Sequence, residues 1–421
     1  MVQTIFGRQG ITTLKNLRQL VSTFPTIAGS VTVVSPARIQ AQWQQWQAKL
    51  PSVKPFYAVK CNPEPTLLQN LALRGAHFDC ASIREVHVVR QQLGASNYRG
   101  SIILYAHPMK SERDIRTIDE MGIRTTVVDS IEECEKLTAC NWKGDAYLRI
   151  AVGDKGSKMP FSVKFGAQAS EVARIAKDSK VHLSGVSFHV GSGCEDPKQY
   201  ANAIAYAGTV CNILKTHGHT PTVIDIGGGF SADPAEFEPA AAEITKGFLQ
   251  LPRGIKLIAE PGRYFAQPSQ DLFVKVIAKK RGLNGTGWRY VIDESLYGHF
   301  SCIPFDHQRP AFLRVTGDIP EEKKRSMSEK SEAIIFGRTC DSLDVIAKGV
   351  MENLEVGDWL YFPLMGAYTS ATASEFNGFP KPHGIRDTAN LLPDSATIWA
   401  ATKEIHSKSL LTYSNALPPI V

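Results

Sequence analysis

From residue 55 to about residue 265, short apolar runs alternate with segments of helical periodicity. Apolar runs of about four to eight residues between polar or glycine residues are typical of buried strands. Eight strands are predicted, at residues 56–60, 77–80, 102–106, 125–129, 146–150, 185–190, 223–227 and 256–261. Strands that alternate with helices in this way predict an α/β fold, a parallel (β/α)8 barrel of the TIM type. An open doubly wound sheet is the alternative.

Beyond about residue 270 the pattern changes, and strand-like runs follow one another with little helix between them. They lie at residues 272–279, 288–293, 311–315, 332–337, 343–347 and 359–362. This pattern predicts a second, all-β domain. We therefore divide the chain into a barrel at residues 36–268 and a C-terminal β domain at residues 269–421, which a strand from residues 1–35 joins. The tail after Phe379 is rich in Pro, Ser and Asn and has weak periodicity.

Composition restricts the class of protein. A chain of 421 residues with 43% hydrophobic and 21% charged residues is typical of a globular protein of two domains. A net charge of +6 is mild, and the densest charge run mixes Glu with Lys, so no nucleic-acid partner is predicted. We find no apolar run long enough to span a bilayer and no signal-peptide pattern in residues 1–10, so we expect a cytoplasmic protein without a membrane partner. None of the eight cysteines forms a C-x-x-C pair, and no metal site is predicted.

The first predicted barrel strand ends in a lysine, within the sequence Pro-Phe-Tyr-Ala-Val-Lys-Cys-Asn at residues 55–62. A lysine at the end of a buried strand is unusual, because burying an ammonium costs free energy. Lys60 is either a lysine whose head reaches water or a nucleophile that forms a Schiff base with a carbonyl cofactor.

Polar and glycine residues recur at the ends of the other predicted strands, where a barrel of this type carries its chemistry. Gly227, Gly228 and Gly229 let backbone amides approach an anion, and Gly262 with Arg263 follows the last strand, so we predict a phosphate site rather than a flexible turn. Four further candidates each have two interpretations. His189 is either a ring-stacking group or a core histidine. The other three, Asp79, Arg149 and Glu260, are either site residues or members of buried ion pairs. Ser192, after His189, could reach a phosphate oxygen.

Two clusters in the β domain carry chemistry as well. One spans residues 297–307, from Tyr297 to His307, and the other spans residues 337–344. Asp306 and Asp341 could pair with the distal ammonium of a diamino acid, and Cys340 could deliver a proton. The alternative is that both clusters are charged surface loops.

Several of these motifs are long enough to compare with a known family. The sequences at residues 55–62, 78–82, 187–194, 225–230, 260–264, 305–307, 339–341 and 376–379 resemble eukaryotic-type ornithine decarboxylases, the barrel class of pyridoxal-phosphate decarboxylases. The resemblance is collinear from about Ser30 to Phe379.

The resemblance implies a decarboxylase that converts L-ornithine to putrescine in polyamine biosynthesis, with pyridoxal 5'-phosphate as cofactor. It implies a role for each candidate: Lys60 as the Schiff-base lysine, Glu260 at the pyridine nitrogen, His189 on the ring, and Asp79 and Arg149 near both. The phosphate site would comprise Ser192, Gly227, Gly228, Gly229, Gly262, Arg263 and Tyr368. Cys340 would protonate the carbanion, and Asp306, Asp341, Tyr297 and Phe376 would contact the substrate. The family also implies a homodimer with shared active sites.

Two departures from the family pattern bear on the substrate. Arg338 stands where the family usually has proline before Thr-Cys, and Asp293-Glu294-Ser295 replaces the usual Asp-Gly. A cation at 338 could point to solvent, bind a substrate carboxylate or perturb Cys340. The same chemistry on lysine, arginine or diaminopimelate is therefore an alternative. A second alternative is an inactive homologue that binds a regulatory protein, as antizyme inhibitors do, and an antizyme-like regulator is also a possible partner of an active enzyme.

Overall fold

A computed structural model describes residues 10–24, 29–97, 102–153, 157–159, 164–194, 196–282, 285–315 and 329–413. The chain divides into two compact units. One comprises residues 42–265, and the other comprises residues 1–41 together with residues 266–421.

The described part of the chain begins with three elements: helix α1 (Gly10–Ser22), strand β1 (Val31–Val34) and helix α2 (Pro36–Lys49). The sequence analysis did not predict α1. It did predict a strand within residues 1–35 that joins the β domain, and β1 is that strand. Pro36 opens the helix, a position where its missing N–H costs nothing.

Residues 42–265 form the predicted barrel. Its strands are β2 (Val53–Ala58), β3 (His77–Cys80), β4 (Ile103–Tyr105), β5 (Thr125–Val128), β6 (Asp145–Arg149), β8 (Leu183–Ser187), β10 (Val223–Asp225) and β11 (Lys256–Ala259). They close in the order β10-β11-β2-β3-β4-β5-β6-β8, with parallel neighbours throughout. The barrel prediction is confirmed, and the doubly wound alternative is wrong.

Helices separate most of these strands and follow each other in chain order. They are α3 (Pro65–Leu73), α4 (Ile83–Asn97), α5 (Glu112–Glu120), α6 (Ile131–Ala139), α7 (Ala169–Asp178), α8 (Lys198–Thr216), α9 (Pro234–Leu249) and the short α10 (Arg263–Ala266). Two strands that were not predicted, β7 (Ser157–Met159) and β9 (Ser192–Cys194), pair outside the barrel. No described helix has the length and apolar character needed to cross a membrane.

Side chains from six barrel strands fill the barrel interior. Phe56, Leu104, Val127 and Ile258 form its buried cluster, with Tyr147 and Val223 packed against them. A filled interior leaves the strand ends as the place where a ligand can be bound.

The other unit is built on a nine-stranded mixed sheet. Its later strands are β12 (Gln270–Arg281), β13 (Trp288–Ile292), β14 (Leu313–Arg314), β15 (Lys330–Phe336), β16 (Val345–Glu352), β17 (Trp359–Phe362), β18 (His383–Arg386) and β19 (Leu410–Tyr413). β1 lies antiparallel to β12 and parallel to β18. The prediction of a second β domain is therefore confirmed.

Helices nevertheless belong to this sheet unit. A one-turn helix, α11 (Cys302–Asp306), follows β13, and α12 (Ser395–Lys408) lies in the tail where no element was predicted. Leu17 and Leu20 of α1 and Ile398 and Ala401 of α12 are buried in one core cluster with Phe273 of β12. The two helices thus cover an apolar face that the sheet would otherwise expose.

Candidate active site

Lys60 does not end the strand as predicted. β2 stops at Ala58, and Val59–Cys61 forms a single 3-10 turn that lifts the lysine out of the sheet. Its side chain is 46% exposed, and its Nζ lies 2.6 Å from Oδ2 of Asp79 in β3, whose side chain is fully buried. The turn removes the desolvation cost that a lysine inside the strand would meet, so a half-exposed amine is held at the strand end by a buried carboxylate.

Glu260 follows β11 directly and is buried, 9% exposed. Its Oε1 has no hydrogen-bond partner, and Asp225 hydrogen-bonds to the Glu260 carboxyl group. Burial, followed by the charges of Asp225 and Asp79, raises the pKa of Glu260 well above its ordinary value, while Lys60 and Arg149 act in the opposite direction. A buried carboxyl oxygen without a donor is expensive, and a ligand that brings an N–H to it would relieve that cost.

His189 lies two residues beyond β8, because that strand ends at Ser187 rather than at the predicted residue 190. Its Nδ1 accepts a hydrogen bond of 2.9 Å from the Gly191 amide. Desolvation, with the charges of Arg149 and Lys60, lowers the pKa of His189 well below its ordinary value. The imidazole is therefore neutral near pH 7 and suited to stack on a flat ring.

The three glycines after β10 pass too close to neighbouring backbone for any side chain. A Cβ at Gly227 would lie 2.3 Å from Phe188 O, one at Gly228 2.7 Å from Glu260 O, and one at Gly229 2.2 Å from Gly191 O. Gly227 and Gly229 also have φ of 65° and 90°. Among the residues that the structure describes, none accepts a hydrogen bond from the Gly228 or Gly229 amide. These amides can therefore serve an anion.

The remaining predicted barrel residues occupy the same strand ends. Arg149 is the last residue of β6, with its guanidinium carbon 5.1 Å from the centre of the Phe165 ring. Gly262 packs on Cys61 so closely that a Cβ would lie 3.0 Å from the cysteine Cβ, and Arg263 begins α10. Ser192 lies in β9, and its side chain is outside the described part of the structure.

Two barrel residues near Lys60 and Glu260 were not predicted. Asp225 accepts hydrogen bonds from Ser187 Oγ at 3.0 Å and from the Gly227 amide at 3.0 Å, and burial raises its pKa to about 6. Glu85 accepts a hydrogen bond of 2.7 Å from the Ala81 amide, and burial, helped by the charge of Asp79, raises its pKa. An aspartate two residues before the three glycines was a signal for the first. Nothing in the sequence pattern pointed to the second.

Most of the predicted substrate residues meet in the sheet unit. The Tyr297 hydroxyl donates a hydrogen bond to Asp341 Oδ2, and the Tyr297 ring stacks on Phe376 with centres 4.4 Å apart. Hydrogen bonds from the Leu343 amide and Tyr297 lower the pKa of Asp341. Asp306 ends α11 and accepts a hydrogen bond of 2.5 Å from Gln308 Nε2. Asp341 is thus an ionised, positioned carboxylate.

Cys340 is the single fully exposed cysteine of the chain, and its amide donates to Asn377 Oδ1 at 2.9 Å. Asp344, which was not predicted as a site residue, is buried and accepts hydrogen bonds from the Thr339 amide and hydroxyl and from the Leu296 amide. These bonds fix the loop that carries Cys340. Tyr368 lies after β17, half-buried, with φ of 54°.

Taken together, the barrel end presents a half-exposed amine beside a carboxylate, a buried acceptor without a donor and glycine amides open to an anion. These features fit an enzyme site for a flat cofactor that carries a carbonyl, a ring nitrogen and a phosphate. A family model described as the pyridoxal binding domain of pyridoxal-dependent decarboxylases matches residues 36–267. The chain belongs to this family, whose cofactor is pyridoxal 5'-phosphate.

Individual relatives support the assignment. An ornithine decarboxylase of Caenorhabditis elegans is 37% identical over 373 residues, which cover 84% of this chain and 86% of the relative. Among solved structures, the arginine decarboxylase of Paramecium bursaria Chlorella virus is 31% identical with a TM-score of 0.81, over 89% of this chain and 100% of that chain. A lysine/ornithine decarboxylase of Vibrio vulnificus, complexed with cadaverine, is 28% identical with a TM-score of 0.77, over 88% of this chain and 98% of that chain.

Proposed function

We propose that this protein decarboxylates L-ornithine to putrescine, a step of polyamine biosynthesis. The observation that carries the proposal is the pairing of a half-exposed Lys60 amine with a buried Glu260 oxygen that lacks a donor, at one end of the same barrel. The choice of ornithine is supported by relatives named ornithine decarboxylase that are 35–37% identical over more than 80% of the chain.

Each barrel residue has a distinct task in this proposal. Lys60 attaches the cofactor covalently, Asp79 orients its amine, and neutral His189 stacks on the cofactor ring. The Gly228 and Gly229 amides receive the phosphate together with Ser192, Gly262, Arg263 and Tyr368, while Gly227 shapes the loop and Arg149 adds positive charge nearby. Bound pyridoxal phosphate supplies the electron sink that stabilises the carbanion left by loss of CO2.

Glu260 would keep the ring nitrogen protonated, because its Oε1 can accept one further hydrogen bond. We expect Glu260→Gln to lower kcat by roughly 10²-fold, the size of effect seen when one preorganised electrostatic group is lost. Turnover of L-ornithine by the cofactor-loaded enzyme is the measurement. Exposed Glu236, in the first turn of α9, gives a matched Glu236→Gln control that should not change kcat. Unchanged turnover in Glu260→Gln would remove Glu260 from the reaction.

On the substrate side, Cys340 would protonate the carbanion, and Asp306 and Asp341 would pair with the distal ammonium. The contacts of Tyr297 and Phe376 support this assignment. The Tyr297 hydroxyl hydrogen-bonds Asp341, and the Phe376 ring stacks on the Tyr297 ring. Since Cys340 and Lys60 belong to different units of the chain, we propose a homodimer in which each active site draws on both subunits.

We expect Asp306→Ala to cost roughly 2–5 kcal/mol in kcat/KM for L-ornithine, because a desolvated ammonium would lose a carboxylate partner. Asp306→Asn keeps the shape and removes the charge, so it should lose a comparable amount. The measurement is kcat/KM for L-ornithine, L-lysine, L-arginine and meso-diaminopimelate in all variants. Asp178, exposed at the end of α7, gives a matched Asp178→Ala control without effect.

The same panel decides the substrate. Intact ornithine turnover in both Asp306 variants, or a wild type that prefers arginine or diaminopimelate, would contradict the ornithine assignment. Arg338 would favour diaminopimelate if it bound the substrate's distal carboxylate. Its guanidinium instead lies over the Phe379 ring and donates to Pro380 O, so these contacts give no support to a carboxylate-bearing substrate.

The location that we propose is the cytoplasm. All eight cysteines are free thiols, and disulfides are rare in that reducing compartment.

A further inference from the structure

The two departures from the family pattern lie against each other in the sheet unit. The Arg338 amide donates to the carbonyl oxygen of Glu294 at 3.1 Å. Proline, which the family usually has at this position, lacks the N–H and could not make this bond. The substitution at 338 and the sequence at 293–295 are therefore linked by a contact that the usual family sequence does not allow.

The Arg338 side chain continues from this contact to a second segment. Its Nη2 donates to Pro380 O at 2.5 Å, and its guanidinium carbon lies 4.8 Å from the centre of the Phe379 ring. A planar guanidinium can make both contacts at once, whereas an ammonium cannot reproduce them. Arg338 therefore joins the loop after β15 to residues 376–380.

Two buried carboxyls interact electrostatically with Arg338. Glu294 is fully buried, and Asp293 is 7% exposed. Glu294 is itself fixed, because its carboxylate accepts hydrogen bonds from Ser30 Oγ and from the Ser295 amide. Burial raises the pKa of Asp293 to about 6 and that of Glu294 to about 7, and the positive charge of Arg338 opposes both shifts. His299 and Lys381 also face this group of charges.

Residues 376–380, which Arg338 contacts, are in turn fastened to the proposed reacting residues. Asn377, with φ of 57°, places its Oδ1 on the Cys340 amide, and Phe376 stacks on the ring of Tyr297, which hydrogen-bonds Asp341. A displacement of this segment would move the supports of both residues together.

We propose that Arg338 is a positioning residue that fastens residues 376–380 to the loop bearing Cys340 and Asp341, through its amide bond to Glu294 O and its side-chain contacts with Phe379 and Pro380. The proposal rests on the proposed function, in which Cys340 and Asp341 serve the reaction. It deepens that function, because it makes the residue that departs most from the family pattern a support of the site instead of a substrate ligand.

Amide hydrogen exchange of the intact dimer tests the contact without reference to turnover. In Arg338→Met, exchange should rise roughly tenfold in peptides that cover residues 338–344 and 376–381, because two fixed contacts are lost there. Peptides from the barrel should not change. Arg281, exposed and stacked on Trp288 at 4.1 Å in the same unit, gives a matched Arg281→Met control with no change at either segment.

Turnover gives the second readout. We expect Arg338→Met to lower kcat/KM for L-ornithine roughly 10- to 100-fold, because small displacements of reacting groups are costly, and Arg338→Lys to lie nearer Met than wild type. Asn377→Gly removes the bond to the Cys340 amide but tolerates the positive φ. If both residues act through the same segment, the double variant should lose much less than the product of the two single losses.

Each outcome is decisive. Unchanged exchange in Arg338→Met, or losses that simply multiply in the double variant, would overturn the positioning role even if ornithine turnover stands. Wild-type protein that releases no CO2 from ornithine would overturn the proposed function instead, and local exchange would still report on the contact. If Arg338→Met does not fold, the same exchange and turnover measurements are made on Arg338→Lys and Asn377→Gly.

Discussion

Replacing Lys60 with alanine is expected to abolish both ornithine turnover and covalent attachment of pyridoxal phosphate. The wild-type protein should absorb near ~420 nm and lose this band on borohydride reduction, as a lysine-bound cofactor does. The physical reason is the position of the amine: it is 46% exposed, 2.6 Å from a buried carboxylate, and outside the hydrogen-bonded strand. After reduction, mass spectrometry should find the cofactor on the peptide that contains Lys60.

Two further variants separate the nucleophile from its charge. Lys60→Arg keeps a cation beside Asp79, but a guanidinium stays protonated and is no nucleophile, so this variant should be as inactive as Lys60→Ala. Lys54 is exposed and lies in β2 itself, so Lys54→Ala is a matched control that should retain the band and the activity. An adduct that persists in Lys60→Ala would show that another residue holds the cofactor.

The barrel could be predicted from the sequence because its strands are short apolar runs separated by helices, a pattern that needs no tertiary information. The strand ends could not. Lys60 and His189 lie just beyond the carboxyl ends of their strands. Where a strand ends depends on hydrogen bonds to segments far away in the sequence. The Ala58 amide, for instance, donates to Pro261 O at the end of its strand. Seven of the eight predicted barrel strands therefore end one to three residues later than the observed strands, whereas the strand at residues 77–80 was predicted with its observed bounds.

The sheet unit shows a different limit. Most of its strands were predicted, but β18, β19 and α12, which lie in the tail, were not. Few positions of α12 carry a large apolar side chain. Ile398 and Ala401 are buried in a cluster that includes Leu17 and Phe273, more than 120 residues earlier in the sequence. A helix that gains its stability from such distant partners leaves a weak local pattern.

The same reason explains why Asp225 was missed and why the sequence left three roles open for Arg338. Asp225 matters because it hydrogen-bonds Glu260, and Arg338 matters because it meets Glu294 and Phe379. Each of these pairs joins residues 35 or more positions apart, and the sequence reveals the members but not the pairing. The family resemblance implied roles for the residues that match the family motifs. It implied no role for Arg338, because the family usually has proline at this position.

Mixing inactive Lys60→Ala chains with inactive Cys340→Ala chains is expected to restore roughly one quarter of the wild-type activity per chain. If each active site joins Lys60 of one subunit to Cys340 of the other, a mixed dimer contains one site with both residues intact and one with neither. Random exchange makes about half of the dimers mixed, and half of their sites are active. If both residues of a site came from the same chain, no mixed dimer would have an intact site, and activity would stay at the level of the parents.

The experiment needs proof that subunits exchange, which a size or affinity tag on one variant provides by co-purification of the other. A matched control mixes Lys60→Ala with the double variant Lys60→Ala/Cys340→Ala, since this pair has no intact Lys60 and should show no recovery. Recovery in the first mixture and not in the second would locate Lys60 and Cys340 of one working site on different subunits. A first mixture that remains inactive although exchange is complete would contradict the shared site and leave Cys340 serving the barrel of its own chain.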